Sequence, residues 1–390
     1  MPAGTTSISR HFAALPDPRV ERTKAHRLVD ILTIGLCAVI CGADGWTAME
    51  AFGRAKEPWL RAFLALPHGI PSHDTFGRVF SRLDPEAFGQ CFAAWVRAVD
   101  GKTLRGSRDR PDDRAALHLV SAWAGASGLV LGQVAVGDKS NEITAIPLLL
   151  RLLDLEGCLV TIDAMGCQTA IAAQLVAQRG DDALALKDNQ PTLHEQVRLA
   201  FAEARAADFA GYAATAHDDA RTVDQDHGRL EIRRHWTLHD PQLLADLDPT
   251  GQWAGLRGLG LVEAERRVGD AVTVERRHYL LSAPLSAAAF GRAVRHHWGI
   301  ENRVHWVLDV TFREDACRVR ADHAPQNLAV LRHFALNLLR RERSHKGSIA
   351  TKRFVAALDD SYLATILAGV AAIPSDAFAL LVAPAETCQK

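Results

Sequence analysis

The run Cys158-Leu-Val-Thr-Ile-Asp163 decides the fold class. Apolar and β-branched residues in unbroken succession read as a strand buried on both faces, because a half-exposed strand would alternate apolar with polar positions. Downstream, Gln168 to Gln178 reads as a helix and Ala183-Leu-Ala-Leu-Lys187 as a further strand. Upstream, Leu117–Ala124 and Leu129–Val136 flank Gly125-Ala-Ser-Gly128 and read as a hairpin, followed by a helix from Glu142 to Leu153 opened by Ser140-Asn141. Hairpin, helix, strand, helix, strand predicts an α/β fold, a mixed sheet flanked by helices.

Outward from this core the pattern changes twice. Residues from about 8 to 98 read as helices: Val29 to Ala43, Thr47 to Leu66, Ser72 to Leu83 and Pro85 to Val99. Ser72 suits an N-cap and Asp74 the first turn. Arg78 and Arg82 beside Gly69-Ile-Pro71 fit either a helix-turn-helix reader of DNA or a plain helical bundle with a basic edge. After a helix from Thr192 to Ala206, polar sequence and strand-like pieces at Leu230–Leu238, Gly258–Val268 and Val272–Ser282 read as an inserted β-rich subdomain. A helix carrying Glu301 and another from Pro325 to Arg343 follow, and the basic stretch Arg340, Arg341, Arg343, Lys346, Lys352 and Arg353 faces only Glu342. The organisation expected is therefore a helical segment over 1–93, a first core part over 94–187, an insertion over 188–285 and a second core part over 286–390.

Bulk properties narrow the function. A chain of 390 residues with 48% hydrophobic content has room for more than one core. A net charge of −1 excludes a wholly basic nucleic-acid coater, so any polyanion site must come from local clustering. Seven scattered cysteines without a CxxC pair suggest reduced thiols, and Met1-Pro-Ala-Gly-Thr-Thr-Ser lacks the basic start and apolar stretch of a secretory signal, so a cytoplasmic protein is expected. The most apolar run, Val29 to Ala43, contains an aspartate and falls short of the ~20 residues a membrane span needs.

Three carboxylates stand out. On a regular helical wheel of about 100° per residue, Phe290, Val294 and Leu308 fall within roughly 20° of Glu301, which puts a charge on an apolar face. An unpaired buried carboxylate costs several kcal/mol, so a cation, hydrogen bonds or a raised pKa must meet it. Asp163 ends a strand, where α/β sheets gather ligands, although capping the turn through Gly166 explains it equally well. Asp100, in Val99-Asp-Gly-Lys102, fits an Asp-Gly turn or a third acidic ligand. Shared by one site, two on adjacent strands and one from a helix packed across them, the three would hold a hard divalent cation and act on a phosphodiester. A rival set, His297, Glu301 and His305, has transition-metal chemistry but lacks HExxH and leaves Asp100 and Asp163 unexplained. Gly255 to Gly260 is no dinucleotide fingerprint, since no βαβ unit surrounds it.

Taken in order, Gly69-Ile-Pro-Ser-His-Asp-Thr-Phe-Gly-Arg-Val-Phe80, Asp100-Gly-Lys-Thr-Leu-Arg-Gly-Ser107, Lys139-Ser-Asn-Glu-Ile-Thr-Ala-Ile-Pro147, Thr161-Ile-Asp-Ala-Met-Gly-Cys-Gln168, Leu186-Lys-Asp-Asn-Gln190, His227-Gly-Arg-Leu-Glu231 and His297-Trp-Gly-Ile-Glu-Asn302 resemble DDE-type transposases of bacterial insertion sequences, in the subgroup that includes the H-repeat-associated proteins. The resemblance covers nearly the whole chain. It implies an RNase H-like core whose catalytic and metal-binding triad is Asp100, Asp163 and Glu301, with Mg²⁺ (or Mn²⁺) activating the water that nicks DNA at the element's end. The freed 3′-hydroxyl then attacks target DNA, with no covalent protein intermediate. The resemblance further implies that Lys139, Asn141, Lys187, Asn189, Gln190 and Asn302 line the site or hold DNA phosphates. Arg340 and Arg341 suit phosphate contacts, Trp236 or Trp298 a displaced base or, more simply, the core, and a homodimer on DNA follows by analogy.

Two departures accompany the likeness. His296-His297-Trp298 replaces the Tyr and Arg often found before the catalytic Glu, and Leu308 falls near a position often held by Lys. The helical pattern Phe88, Cys91, Phe92, Trp95, Val99 runs straight to Asp100, where an RNase H-like core needs its first strand. A descendant that binds DNA without cutting it is the alternative these departures raise.

Overall fold

The computed structural model describes residues 12, 15–93, 99–104, 117–124, 129–136, 142–153, 155–226, 228–368 and 379–382. The architecture is a mixed β-sheet flanked by helices, RNase H-like, with a helical N-terminal region and a β-rich insertion ahead of the C-terminal helices. The chain divides into two compact units, one of Met1–Trp123, Ser127–Ser140 and Glu301–Asp376, the other of Ala124–Ala126, Asn141–Ile300 and Ala377–Lys390.

The first unit opens with helices α1 (Leu28–Ile40), α2 (Trp46–Ala55), α3 (Glu57–Leu60), α4 (His73–Arg82) and α5 (Pro85–Ala93). The apolar run becomes the buried helix α1, and its one aspartate, Asp30, accepts the Leu66 backbone N–H at 3.1 Å. A single helix from Thr47 to Leu66 does not form; it breaks at Lys56, because Pro58 cannot supply an interior helical N–H and its ring crowds the preceding turn. Ser72 caps α4 as expected, its Oγ accepting from Thr75 N. Strands β1 (Val99–Leu104), β2 (Leu117–Ala124) and β3 (Leu129–Val136) follow, β1 antiparallel to β2 and β3 pairing with β2. The helical pattern before Asp100 therefore gives way to a strand by Val99.

The second unit carries α6 (Glu142–Arg151), β4 (Leu159–Ile162), α7 (Thr169–Ala177), β5 (Asp181–Leu186) and α8 (Pro191–Ala206). The insertion then adds β6 (His217–Asp226), β7 (Arg229–Leu238), α9 (Pro241–Leu247), β8 (Gly258–Val268) and β9 (Ala271–Leu281), ahead of α10 (Ala287–Ile300). β6 is invisible as sequence: with four aspartates and no apolar alternation it is a largely exposed outer strand, held by its ladder to β7. Within this unit β4 and β5 run parallel, β9 returns antiparallel beside β5, and β8, β7 and β6 follow. Phe290 and Val294 of α10 pack on Val262, Tyr279 and Leu281, and Gly260 makes this approach work, since a Cβ there would stand 2.5 Å from the Phe290 ring.

At Glu301 the chain leaves α10 through a π-helical turn, Glu301–His305, and returns to the first unit as α11 (Trp306–Val310), α12 (Ala324–Arg341), α13 (Ile349–Leu358) and α14 (Asp360–Ala368). The uniform wheel that aligned Leu308 with Glu301 does not survive this turn, because an i→i+5 turn advances by a different angle per residue. Leu308 is nevertheless fully buried. α12 packs on α1, α4 and α5, where the Phe334 ring meets Phe92 at 4.5 Å. The basic stretch divides by role. Lys352 donates to the Leu339 carbonyl at 3.0 Å and pairs with Glu342 at 3.4 Å, while Arg353 donates to Val39 O at 2.9 Å and stacks on Phe312 at 4.1 Å. Both close helix ends rather than face solvent.

The final strand, β10 (Ala379–Val382), pairs parallel with β4. The cysteines of the described residues are free thiols, and among those residues no helix is long and apolar enough to cross a membrane.

Candidate active site

β4 and β5 share a parallel register, Leu159 opposite Asp181 and Ile162 opposite Leu184, so Asp163 and Lys187–Gln190 leave the sheet at the same carboxyl edge. This is the edge at which α/β sheets place ligands. Asp163 is half-buried with extended backbone, and its Oδ1 accepts the Met165 N–H at 3.2 Å, capping the short 3₁₀ turn Ala164–Gly166. Capping and the strand-end position therefore coexist. Gly166 is required by contact: a Cβ there would meet Ile162 Cγ2 at 2.3 Å and Ile146 Cδ1 at 2.9 Å.

The turn after Asp163 is held from the neighbouring strand. Asn189 Nδ2 donates to the carbonyls of Ala164 and, at 3.3 Å, Cys167, and Gln190 Nε2 donates to Cys167 O at 3.2 Å. Asn189 and Gln190 thus spend these amide donors on the protein's own backbone. Lys187 stands exposed at the same edge. Burial, reinforced by Asp182 and Asp163, pushes the Cys167 thiol far up, so it is no nucleophile.

Beneath this edge lies a pair that sequence reasoning did not single out. Thr161 Oγ1 and His297 Nδ1 are 3.0 Å apart, both buried, joining β4 two residues before Asp163 to the last turns of α10. Burial brings the His297 pKa down to about 3, so the ring is neutral. The available signal was that His297 shares the apolar stripe of Phe290 and Val294. Of the rival set, His297 lies in α10, while Glu301 and His305 open and close the π-helical turn.

Asp100 is the second residue of β1 and opposes Ser121 of β2. The two hydrogen-bonded neighbours of β4 are β5 and β10, and the apolar run Ala379-Leu-Leu-Val382 runs parallel to it. Glu301 opens the π-helical turn, a feature frequent at functional sites, with Asn302 next. Of Asp100, Glu301 and Asn302 the backbone alone is described, and Lys139 and Asn141 lie outside the described residues. Arg340 and Arg341 end α12 in partial burial; burial, then the nearby Arg303, brings Arg340 down to about 9, and burial also lowers Arg341. Among the described residues no group of three His, Cys, Asp or Glu side chains is arranged to hold a metal.

Residues 92–338 match the family model described as transposase DDE domain, and residues 9–96 match the model of its associated N-terminal region, DDE_Tnp_1-associated. The H repeat-associated putative transposase YhhI of Escherichia coli (strain K12) is 38% identical over 379 residues, covering 93% of this chain and 98% of the relative. The putative transposase YncI of Escherichia coli O157:H7 is 39% identical over 376 residues, 93% of this chain and 94% of the relative. An uncharacterized protein from the dhlA 3′ region of Xanthobacter autotrophicus is 46% identical over 284 residues, 70% of this chain and 92% of the relative. By these matches the chain belongs to the DDE transposase family, in its H-repeat-associated subgroup.

Proposed function

We propose that the protein cuts DNA at the ends of an insertion sequence and joins the freed 3′ ends to target DNA, with Asp100, Asp163 and Glu301 as the acidic triad. The observation that supports this most is Asp163 at the carboxyl end of β4, on a turn braced by Asn189 and Gln190 from the end of β5. A brace of this kind keeps a carboxylate in one place while charge changes before it.

Three carboxylates are the hard oxygen donors that Mg²⁺, or Mn²⁺ in its place, prefers, so the residues fit such a cation. When bound, it lowers the pKa of an attacking water and offsets charge on the phosphoryl oxygens. Met165 N–H orients the Asp163 carboxylate. Lys187 offers an exposed ammonium at the same edge to a DNA phosphate, with Lys139, Asn141, Asn302, Arg340 and Arg341 as further DNA contacts. Water attacks the phosphodiester and releases a 3′-hydroxyl; that hydroxyl then attacks a target phosphodiester and expels its 3′ oxygen. Two ends must be joined, so the working form is a homodimer on DNA.

A cleavage and strand-transfer assay on the element's terminal repeats tests the reading. Wild type nicks only with Mg²⁺ or Mn²⁺, and Asp163→Asn lowers the rate at least ~10³-fold. Equal activity in Asp163→Asn, or in Glu301→Gln, overturns the triad; a footprint without nicking by wild type marks a protein that only binds DNA.

A further inference from the structure

We propose that one face of the β6–β9 sheet is a contact surface for the phosphate backbone of duplex DNA, carried by Arg221, Arg234 and Arg276; this rests on the DNA-acting reading above. Arg221 of β6 stands opposite Arg234 of β7, Arg234 opposite Glu263 of β8, and Glu263 opposite Arg276 of β9. Directly opposed residues share a face, so the four form one row across the sheet, about 14 Å long at ~4.8 Å per strand.

The row is built rather than scattered. Glu263, its side chain only 6% exposed, accepts from Arg234 at 3.1 Å, from Arg276 at 2.8 Å and from Arg205 of α8 at 3.2 Å. Arg205 also lies over the Trp236 ring at 4.2 Å, and Glu265 accepts from Arg267 at 2.6 Å. One buried carboxylate thus pre-orients three guanidinium forks, each with further N–H donors than it can use. Arginines 205, 221, 234, 267 and 276 share this face with the carboxylates of Asp219, Glu263 and Glu265, so positive charge is in excess.

The opposition of Arg221 and Arg234 calls for an anion. Like charges directly opposite in a ladder destabilise it, and among the described residues no carboxylate lies within ion-pair distance of Arg221. The other face of the same sheet shows the contrast. There Asp224 opposes Glu231, but Arg233 bridges them at 3.0 and 2.7 Å and Arg295 of α10 also binds Asp224. That repulsion is neutralised inside the protein; on the arginine face Arg234 is held by Glu263 and, at 3.4 Å, by Glu265, which leaves the Arg221 charge for an outside anion to neutralise. A line of forked donors fits the anionic oxygens of successive backbone phosphates.

Fluorescence anisotropy of the full chain with a labelled duplex of arbitrary sequence, titrated with salt, tests this. Arg221→Ala with Arg276→Ala weakens binding about 10- to 100-fold and flattens the salt slope by about 2, Lys at both positions restores the slope, and Arg229→Ala with Arg266→Ala on the other face leaves it unchanged. Equal losses from both pairs would reduce the effect to net charge and overturn the proposal, as would no loss from the first pair. Tight binding of a polyglutamate peptide without a duplex response would make the face a protein contact instead. A wild type without duplex affinity overturns the DNA reading as well, whereas binding that ignores the row overturns this inference alone.

Discussion

The two ends of the β4–β5 pair carry aspartates of opposite character. At the carboxyl end Asp163 is half-buried, capped by a backbone N–H and braced by neighbouring amides. At the amino end Asp182 is buried on β5, its backbone N–H held by Ser282 Oγ at 2.7 Å, and burial together with Asp181 pushes its carboxyl up to about 7. Burial without a cation gives a carboxyl that prefers its proton, whereas Asp163 stands half-buried at a strand's open end with a backbone N–H on its Oδ1. The first is suited to structure and the second to chemistry, although both are aspartates beside the same strands.

The sharpest way to break the comparison is exchange by asparagine at each end. Asp163→Asn abolishes cleavage while Asp182→Asn leaves it within a few-fold, measured on the same DNA; loss of cleavage in both would remove the distinction. The next effect is in stability. The Asp182 pKa is higher folded than unfolded, so its contribution is full below about pH 4, falls as pH rises and is gone above about 7. Asp182→Asn therefore gains on wild type across that window, by about 4 kcal/mol at its upper end from ~3 pKa units. Urea denaturation at pH 5 and pH 8 reads it, and a pH-independent difference would show that Asp182 is ionised in the fold.

Smaller effects sharpen the carboxyl end. Thr161→Val leaves the buried His297 Nδ1 without its Oγ1 partner and lowers stability by about 1–3 kcal/mol, whereas Thr161→Ser retains most of it. Asn189→Ala releases two carbonyls of the turn after Asp163, with a loss of about 1 kcal/mol and an expected fall of about tenfold in cleavage. A stability loss with unchanged cleavage would mean that the brace does not serve Asp163.

Much of the fold was legible because burial leaves a periodic trace. The hairpin strands Leu117–Ala124 and Leu129–Val136 have the predicted bounds, and so does β8, Gly258–Val268. β6 was not legible, since its stability comes from pairing with β7 and its residues are polar apart from Ala220 and Val223. The helix over Thr47–Leu66 failed at Pro58, a local signal outweighed in the reading by the surrounding apolar period. At the site, Asp163 and its strand end could be read from the chain, but Asn189 and Gln190 gave no hint that their amides turn inward. Nor did the six cations near the C-terminal helices show that Lys352 and Arg353 close helix ends.

By itself the sequence determined which segments are apolar enough to be strands and helices, which carboxylates stand out, and the family to which their order belongs. Those are properties of residue type and spacing, set before any distant pair meets. Only tertiary structure decided that β10 lies beside β4, that Thr161 meets His297, and that Arg221, Arg234 and Arg276 fall in one row. Each depends on register and long-range pairing, and a strand's side chains change faces with a shift of one residue, which local periodicity cannot specify.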